Sequence, residues 1–196
     1  MKRIFLFIVS FIVFQQSTFS QSCCSPSATQ KFGLLAMNTS FAAAHESPLP
    51  FIYEAASGSM ITYKCPDGTI AGAFEVKAVK ANNNWLIVIH EWWGLNDYIK
   101  REAEKLQVDL VNTNVLALDL YDGKIAETPG VAQELMGGLK DDRARLIIQG
   151  ALNYVGVKAK VFTLGWCMGG GWSMQTALMA GNQLGACVLY YGMPET

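Results

Sequence analysis

Histidine is almost missing from this chain: its 196 residues contain two, His45 and His90. Charged side chains make up 16% and balance to a net charge of −1, so the basic stripe that a nucleic-acid partner requires is excluded. There is no Cys-x-x-Cys pair, which leaves a thiol-redox reading, with Cys167 paired to Cys187 or another cysteine, little to stand on. No Cys/His spacing matches a zinc site, and no metal or cofactor is expected. Long apolar runs are missing as well. The longest, Ile4 to Phe14, is broken at Ser10 and is too short for the roughly 20 residues of a bilayer span. Internal repeats and low-complexity tracts are absent. What is abundant is apolar surface, at 51% of residues, and glycine, at 18 residues. Together they suit one compact α/β domain with a sizeable core.

The N-terminus is patterned for export. Lys2 and Arg3 precede the apolar run, and Thr18-Phe19-Ser20 offers small residues for cleavage. Residues 1–20 therefore read as a signal peptide cut after Ser20. The mature chain is expected to be secreted or periplasmic, with no stable membrane span. Residues 21–57 read as a linker or N-terminal extension, with a short helix near Phe41-Ala42-Ala43-Ala44-His45. His45 reads as a solvated loop histidine. The cysteines are Cys23, Cys24, Cys65, Cys167 and Cys187, an odd number that leaves at least one thiol unpaired in an oxidising compartment. Cys167 fits that count.

From residue 58 onward the pattern alternates. Met60–Lys64 and Ile70–Val79 are expected to form a hairpin around Cys65-Pro66-Asp67-Gly68-Thr69. Trp85–His90, Val115–Leu120, Lys158–Leu164 and Ala186–Tyr191 are continuous apolar runs, as strands buried on both faces should be. Between them lie helical stretches from Asn96 or Asp97 to about Val111, from about Val131 to Tyr154 with a possible break at Gly137-Gly138, and from Gly170 to Ala180. This order implies an α/β fold: a mostly parallel sheet with helices on both faces.

In such sheets the chemistry gathers at the carboxyl ends of the strands. Gly165-Trp166-Cys167-Met168-Gly169-Gly170 follows one of them. A strand, a glycine-flanked nucleophile and a helix form a nucleophile elbow, here with cysteine at its apex. Gly165 and Gly169 leave room for the close packing this bend needs. A thiol at a helix head also feels the positive end of the dipole, which favours the thiolate. A second strand end carries His90-Glu91-Trp92-Trp93-Gly94-Leu95-Asn96, which aims the Glu91 carboxylate at the same crevice. The two tryptophans there could wall an apolar pocket. A third carries Asp119-Leu120-Tyr121-Asp122-Gly123, best read as a turn.

These stretches, with Ile61-Thr62-Tyr63-Lys64-Cys65-Pro66-Asp67-Gly68 and Val188-Leu189-Tyr190-Tyr191-Gly192, resemble the dienelactone hydrolase family, a branch of the α/β-hydrolases, in its order and spacing. The resemblance covers nearly all of residues 60–192 and implies an α/β-hydrolase fold over residues 58–196. It implies Cys167 as the nucleophile acting on a small-molecule ester or lactone. It also implies Glu91 as the acid that contacts the resting cysteine and helps form its thiolate. The backbone N–H groups of Trp92 and Met168 would form the oxyanion hole, as an elbow itself suggests.

The family's triad also needs an aspartate after the next strand and a histidine beyond it. Neither is among these 196 positions. The domain is accordingly expected to be C-terminally incomplete, truncated after the strand that follows the nucleophile helix. That strand's flank would then be exposed. This chain alone is expected to be weak or inactive. His90 precedes the glutamate and is not expected to substitute for the missing histidine. Arg143 and Arg145 read as exposed helix charges rather than carboxylate binders. The alternative reading is a non-catalytic small-ligand-binding or degenerate member of the fold.

Overall fold

A computed structural model describes residues 28–45 and 47–193. The expected signal peptide, Cys23 and Cys24 lie outside the described residues. Six strands form one sheet in the order β1-β2-β4-β3-β5-β6. β1 (Ser59–Lys64) and β2 (Ile70–Val76) make the expected hairpin, turned at Gly68 with φ 87°. β2 then pairs antiparallel with β4 (Asn114–Leu118). β3 (Asn84–Ile89) lies parallel between β4 and β5 (Lys160–Trp166), and β6 (Leu184–Tyr190) closes the row parallel to β5. The sheet is thus mixed and mostly parallel, as the alternation of elements implied.

The continuous apolar runs are explained by burial on both faces. Along β3, Ile87 and Ile89 enter one core with Leu116, Leu118 and Val161, while Leu86 and Val88 enter the other with Val115, Ala117 and Leu164. The second core is closed by α3 (Asp97–Leu110) through Ile99 and Ala103. The first is closed by α4 (Pro129–Gly138), α5 (Asp141–Val155) and α6 (Met168–Ala180). Leu110, at the end of α3, is 46% exposed. Side chains of β6 are largely exposed, as on an edge strand.

The long helix expected over 131–154 is two helices. Thr128 caps the first by accepting a hydrogen bond from Val131 N–H, with Pro129 in its first turn. It ends at Gly137-Gly138, where helix propensity is lowest. Residues 28–44, expected as a linker or N-terminal extension with a short helix near Phe41–His45, carry that helix and an unexpected one before it. They form α1 (Ala28–Ala36) and α2 (Thr39–Ala44), and Phe32 and Ala36 are buried in the first core. Asn38 caps α2 through Ser40 and Phe41 N–H.

Segment 53–58 is fastened to α3 by two carboxylates, Asp97 accepting from Tyr53 N–H at 3.0 Å and Glu104 making the larger set of bonds. Glu104 accepts from Tyr53 O–H and from Ala56, Ser57 and Gly58 N–H, at 2.5–3.1 Å. Its pKa is held down to about 2. Desolvation pushes it up, but the Tyr53 and backbone hydrogen bonds to the ionised form outweigh that push.

Candidate active site

Cys167 sits between the end of β5 and the start of α6 with φ 55° and ψ −123°. A side chain rarely adopts this backbone conformation, and here it is over-determined by its surroundings. Cys167 N–H donates to Tyr190 O at 2.9 Å, and Cys167 O accepts from Gly170 N–H at 3.0 Å. The flanking glycines are obligatory for steric reasons. A Cβ on Gly165 would overlap the Gly169 carbonyl, and one on Gly169 would overlap the Ile89 and His90 carbonyl oxygens. Gly165 and Gly169 therefore let α6 lie directly against β5 and β3, which is the packing the elbow motif demanded.

The thiol itself departs from expectation. Cys167 is only 2% exposed, and its pKa is pushed up to about 11. Burial is the main cause, and the Glu91 charge adds to it. A hydrogen bond from Met168 N–H to the sulfur works the other way, but it does not offset the desolvation. The helix-head position thus supplies one amide donor and no net stabilisation of the thiolate.

Glu91 is half-buried in the turn after β3 and lies close enough to act electrostatically on Cys167. Its own pKa is raised, chiefly by burial, with His45 pulling the other way. The structure therefore brings Cys167, Met168 N–H and the Glu91 carboxyl to one place. Trp92, whose N–H was assigned to the oxyanion hole, follows Glu91 directly, and its side chain is turned into the core.

The two tryptophans do not wall a pocket. Trp92 and Trp93 are 1% and 5% exposed and pack edge to face on each other at 5.1 Å. Trp92 also packs edge-on against Phe41 at 5.9 Å and His45 at 5.5 Å. Its indole N–H has no hydrogen-bond partner among the described residues. His45 is therefore not a solvated loop residue. It lies half-buried at the C-cap of α2, and its Nδ1 is 2.7 Å from Phe41 O.

His90 is fully buried, and both ring nitrogens are committed. Nδ1 lies 2.6 Å from Glu91 O, and Nε2 accepts from Leu120 N–H at 3.2 Å. A carbonyl only accepts, so Nδ1 must carry the proton and the ring is neutral. Burial lowers its pKa further. His90 ties the β3 and β4 ends together and has no nitrogen left for chemistry.

Asp119 is turn chemistry, as read. It is buried, and its carboxylate accepts from Tyr121 N–H at 3.0 Å and Gly123 N–H at 2.5 Å. Arg143 is not a plain exposed charge. It binds Asp122 through Nε and a terminal nitrogen at 3.1 and 2.5 Å. It also reaches Thr69 Oγ1 at 2.7 Å and Ile70 O at 2.8 Å, clamping the hairpin to this turn. Arg145 lies over the Trp172 ring at 6.0 Å.

Two site residues were missed by sequence reasoning, although both lie in quoted motifs. Tyr191 follows β6 with φ 41°. It is 67% exposed, so solvent screens much of the upward push that partial desolvation and the Glu91 and Cys167 charges give its pKa. Tyr121 donates its O–H to the Met168 sulfur at 3.4 Å, and its pKa is raised by burial and by Cys167. Nothing in a local pattern marks either residue, because each reaches the cysteine from a different strand end.

Cys65, Cys167 and Cys187 are free thiols. Among the described residues no cluster of three or more metal-ligating side chains occurs. Among them, too, no helix is long and apolar enough to cross a membrane.

Residues 72–196 match the dienelactone hydrolase family. Two curated proteins, "Putative carboxymethylenebutenolidase" of Aquifex aeolicus and "Protein usf" of Aquifex pyrophilus, are each 29% identical over 136 residues. Each match covers 62% of this chain, which spans 58% of the length of either relative. The solved structure named m3DLH is 25% identical with a TM-score of 0.57, covering 72% of this chain and 63% of that one. The family match runs from within β2 through β6 and takes in both stretches that meet at Cys167. By fold and by sequence, the chain belongs to the dienelactone hydrolase family.

Proposed function

We propose that this chain carries the nucleophilic half of a site that cleaves small carboxylic esters or lactones, with Cys167 as nucleophile. The observation that supports this most is the strained bend at Cys167, which holds a thiol at the head of α6 with the Met168 N–H on its sulfur. Such strain persists where the chemistry uses it.

The Cys167 proton passes to the Glu91 carboxylate. This leaves a thiolate and a neutral acid, so a carboxylate does not face the forming sulfur anion. The sulfur attacks the substrate carbonyl carbon, and the C=O electron pair moves onto oxygen. The N–H groups of Met168 and Trp92 receive that oxyanion. Collapse expels the alcohol or enol oxygen, which takes the proton held by Glu91, and leaves a thioester on Cys167. Water must then cleave the thioester, and that step needs a general base.

His90 has no free nitrogen, and His45 is turned to Trp92 and Phe41. These 196 residues therefore acylate but release slowly, since general base and acid help is worth about a hundred- to ten-thousand-fold. A second reading, a non-catalytic ligand-binding member of the fold, is favoured by the 2% exposure of Cys167. Export through residues 1–20 belongs to the same proposal.

The test is p-nitrophenyl acetate with mass analysis of the Cys167 peptide. One equivalent of p-nitrophenolate and an acetyl group on Cys167 are expected, with slow turnover after that. Cys167→Ala should abolish both. Acetylation elsewhere, or none, sinks the nucleophile. Rapid multiple turnover that depends on Cys167 sinks the deficiency in release.

A further inference from the structure

β6 is the outer strand of the sheet, and the chain around it is unlike the rest. Charged side chains make up 16% of the sequence, yet none occurs from Val161 to Pro194, a stretch that holds α6, β6 and nearly all of β5. β6 therefore lacks the lysines, acids and prolines that ordinarily keep a free edge from pairing. The opposite edge differs. β1 ends in Lys64, and α5 lies against it, where a Cβ on Gly150 would stand 3.0 Å from Lys64 O. Tyr190 O accepts from Cys167 N–H at 2.9 Å, so the backbone groups of Tyr190 turn towards β5, and those of Cys187 and Leu189 turn outward. Ala186, Val188 and Tyr190 share a face with their β5 partners Phe162, Leu164 and Trp166. All three are exposed, and Tyr190 stacks on Trp166 at 6.0 Å. α3 packs on β2 and β4 and leaves this part of the face open.

We propose that the free edge and open face of β6 form an interaction surface whose partner is a second copy of this chain, β6 pairing antiparallel with the β6 of its copy about a two-fold axis. The absence of charge selects the partner. A nucleic acid or an anionic lipid surface needs cations on the patch, and a charged protein surface would bury its own charges unpaired. A second β6 makes neither demand. Contact about a two-fold axis is isologous, so the outward N–H and C=O groups of Cys187 and Leu189 meet the same groups of the copy, and the symmetry itself makes the strands antiparallel. Val188 and its neighbours on the open face then gain cross-strand partners of their own kind. An exposed apolar patch with a polar rim marks such a surface, and Lys160, over the Phe162 ring at 5.7 Å, stands at the rim. This surface is separate from the reading of Cys167 as nucleophile, and either stands without the other.

Sedimentation equilibrium of the full chain from about 1 to 100 μM, a range that spans micromolar association, should show a reversible passage to twice the mass of one chain. Val188→Lys and Val188→Glu each set like charges side by side across the pair, so each alone should weaken association by at least about tenfold. An equimolar mixture of the two variants should recover it, which a folding defect would not do. Hydrogen exchange needs no variant and decides the matter if both fold poorly: the Cys187 and Leu189 amides of the wild type should exchange more slowly as concentration rises, while those of β1 do not change. A chain that stays monomeric across the series overturns the pairing. So does a dimer that both variants retain, or exchange at Cys187 and Leu189 that ignores concentration. Mass gained only on adding phosphatidylcholine vesicles gives the face to a membrane and overturns it too. A mass that climbs past the dimer means strand addition between unlike edges and overturns the two-fold pair.

Discussion

Gly169→Ala tests the elbow directly, because two effects of opposite sign compete at that position. Gly169 lies in the first turn of α6 and lacks a positive φ. Alanine at an ordinary helical glycine stabilises by about 0.5–1 kcal/mol. Here, however, the new Cβ would overlap the carbonyl oxygens of Ile89 and His90. Both are backbone atoms of the β3 end, and Ile89 is held on both sides by Leu118 and Gly165. No side chain can swing away, so α6 must lift off β3. Overpacking that forces backbone shifts costs about 1–3 kcal/mol and sometimes more. Against a fixed ladder we expect about 3 kcal/mol, or a fall in Tm of roughly 6–12 °C for a domain of this size. Gly137→Ala is the matched control, since it lies in the last turn of α4 and a Cβ there meets nothing within 4 Å. It should stabilise by about 0.5–1 kcal/mol. Urea denaturation of the two variants beside the wild type decides the matter. A Gly169→Ala protein within about 0.5 kcal/mol of wild type would mean that α6 does not bear on β3, and the bend that presents Cys167 would be wrong.

Two further outcomes follow from the electrostatics. Glu91→Gln removes a negative neighbour, so the Cys167 titration should fall below about 11, raising alkylation near pH 10. Acylation by p-nitrophenyl acetate at neutral pH should slow in the same variant, because the internal proton acceptor is gone; faster acylation would contradict the assigned role. Glu104→Gln concerns acid stability. The folded pKa of Glu104 is depressed to about 2 from its ordinary value of 4.5, so its contribution is complete above pH 4.5 and is lost as pH falls towards 2. The substitution should cost about 1–3 kcal/mol at pH 7 and flatten acid unfolding in that window. An unchanged acid transition measured by circular dichroism would show that segment 53–58 is held by something else.

The sequence alone determined the order of strands and helices, because buried strands and amphipathic helices write their periods locally. It also determined where the elbow cysteine stands. Gly165-Trp166-Cys167-Met168-Gly169 implies a bend, and the bend's φ of 55° and the clearance at both glycines follow from that spelling. The break in the long helical stretch was legible at Gly137-Gly138 for the same local reason. Tertiary structure alone decided what surrounds the sulfur. Helix-head position argued for a stabilised thiolate, but desolvation depends on how many distant segments close over one atom, and here it raised the thiol to about 11. The same holds for Tyr121 and Tyr191, which come to Cys167 from separate strand ends, and for His45, which a weakly patterned segment carries onto Trp92. Backbone conformation is set by near neighbours in the chain, whereas charge state and burial are set by neighbours in space.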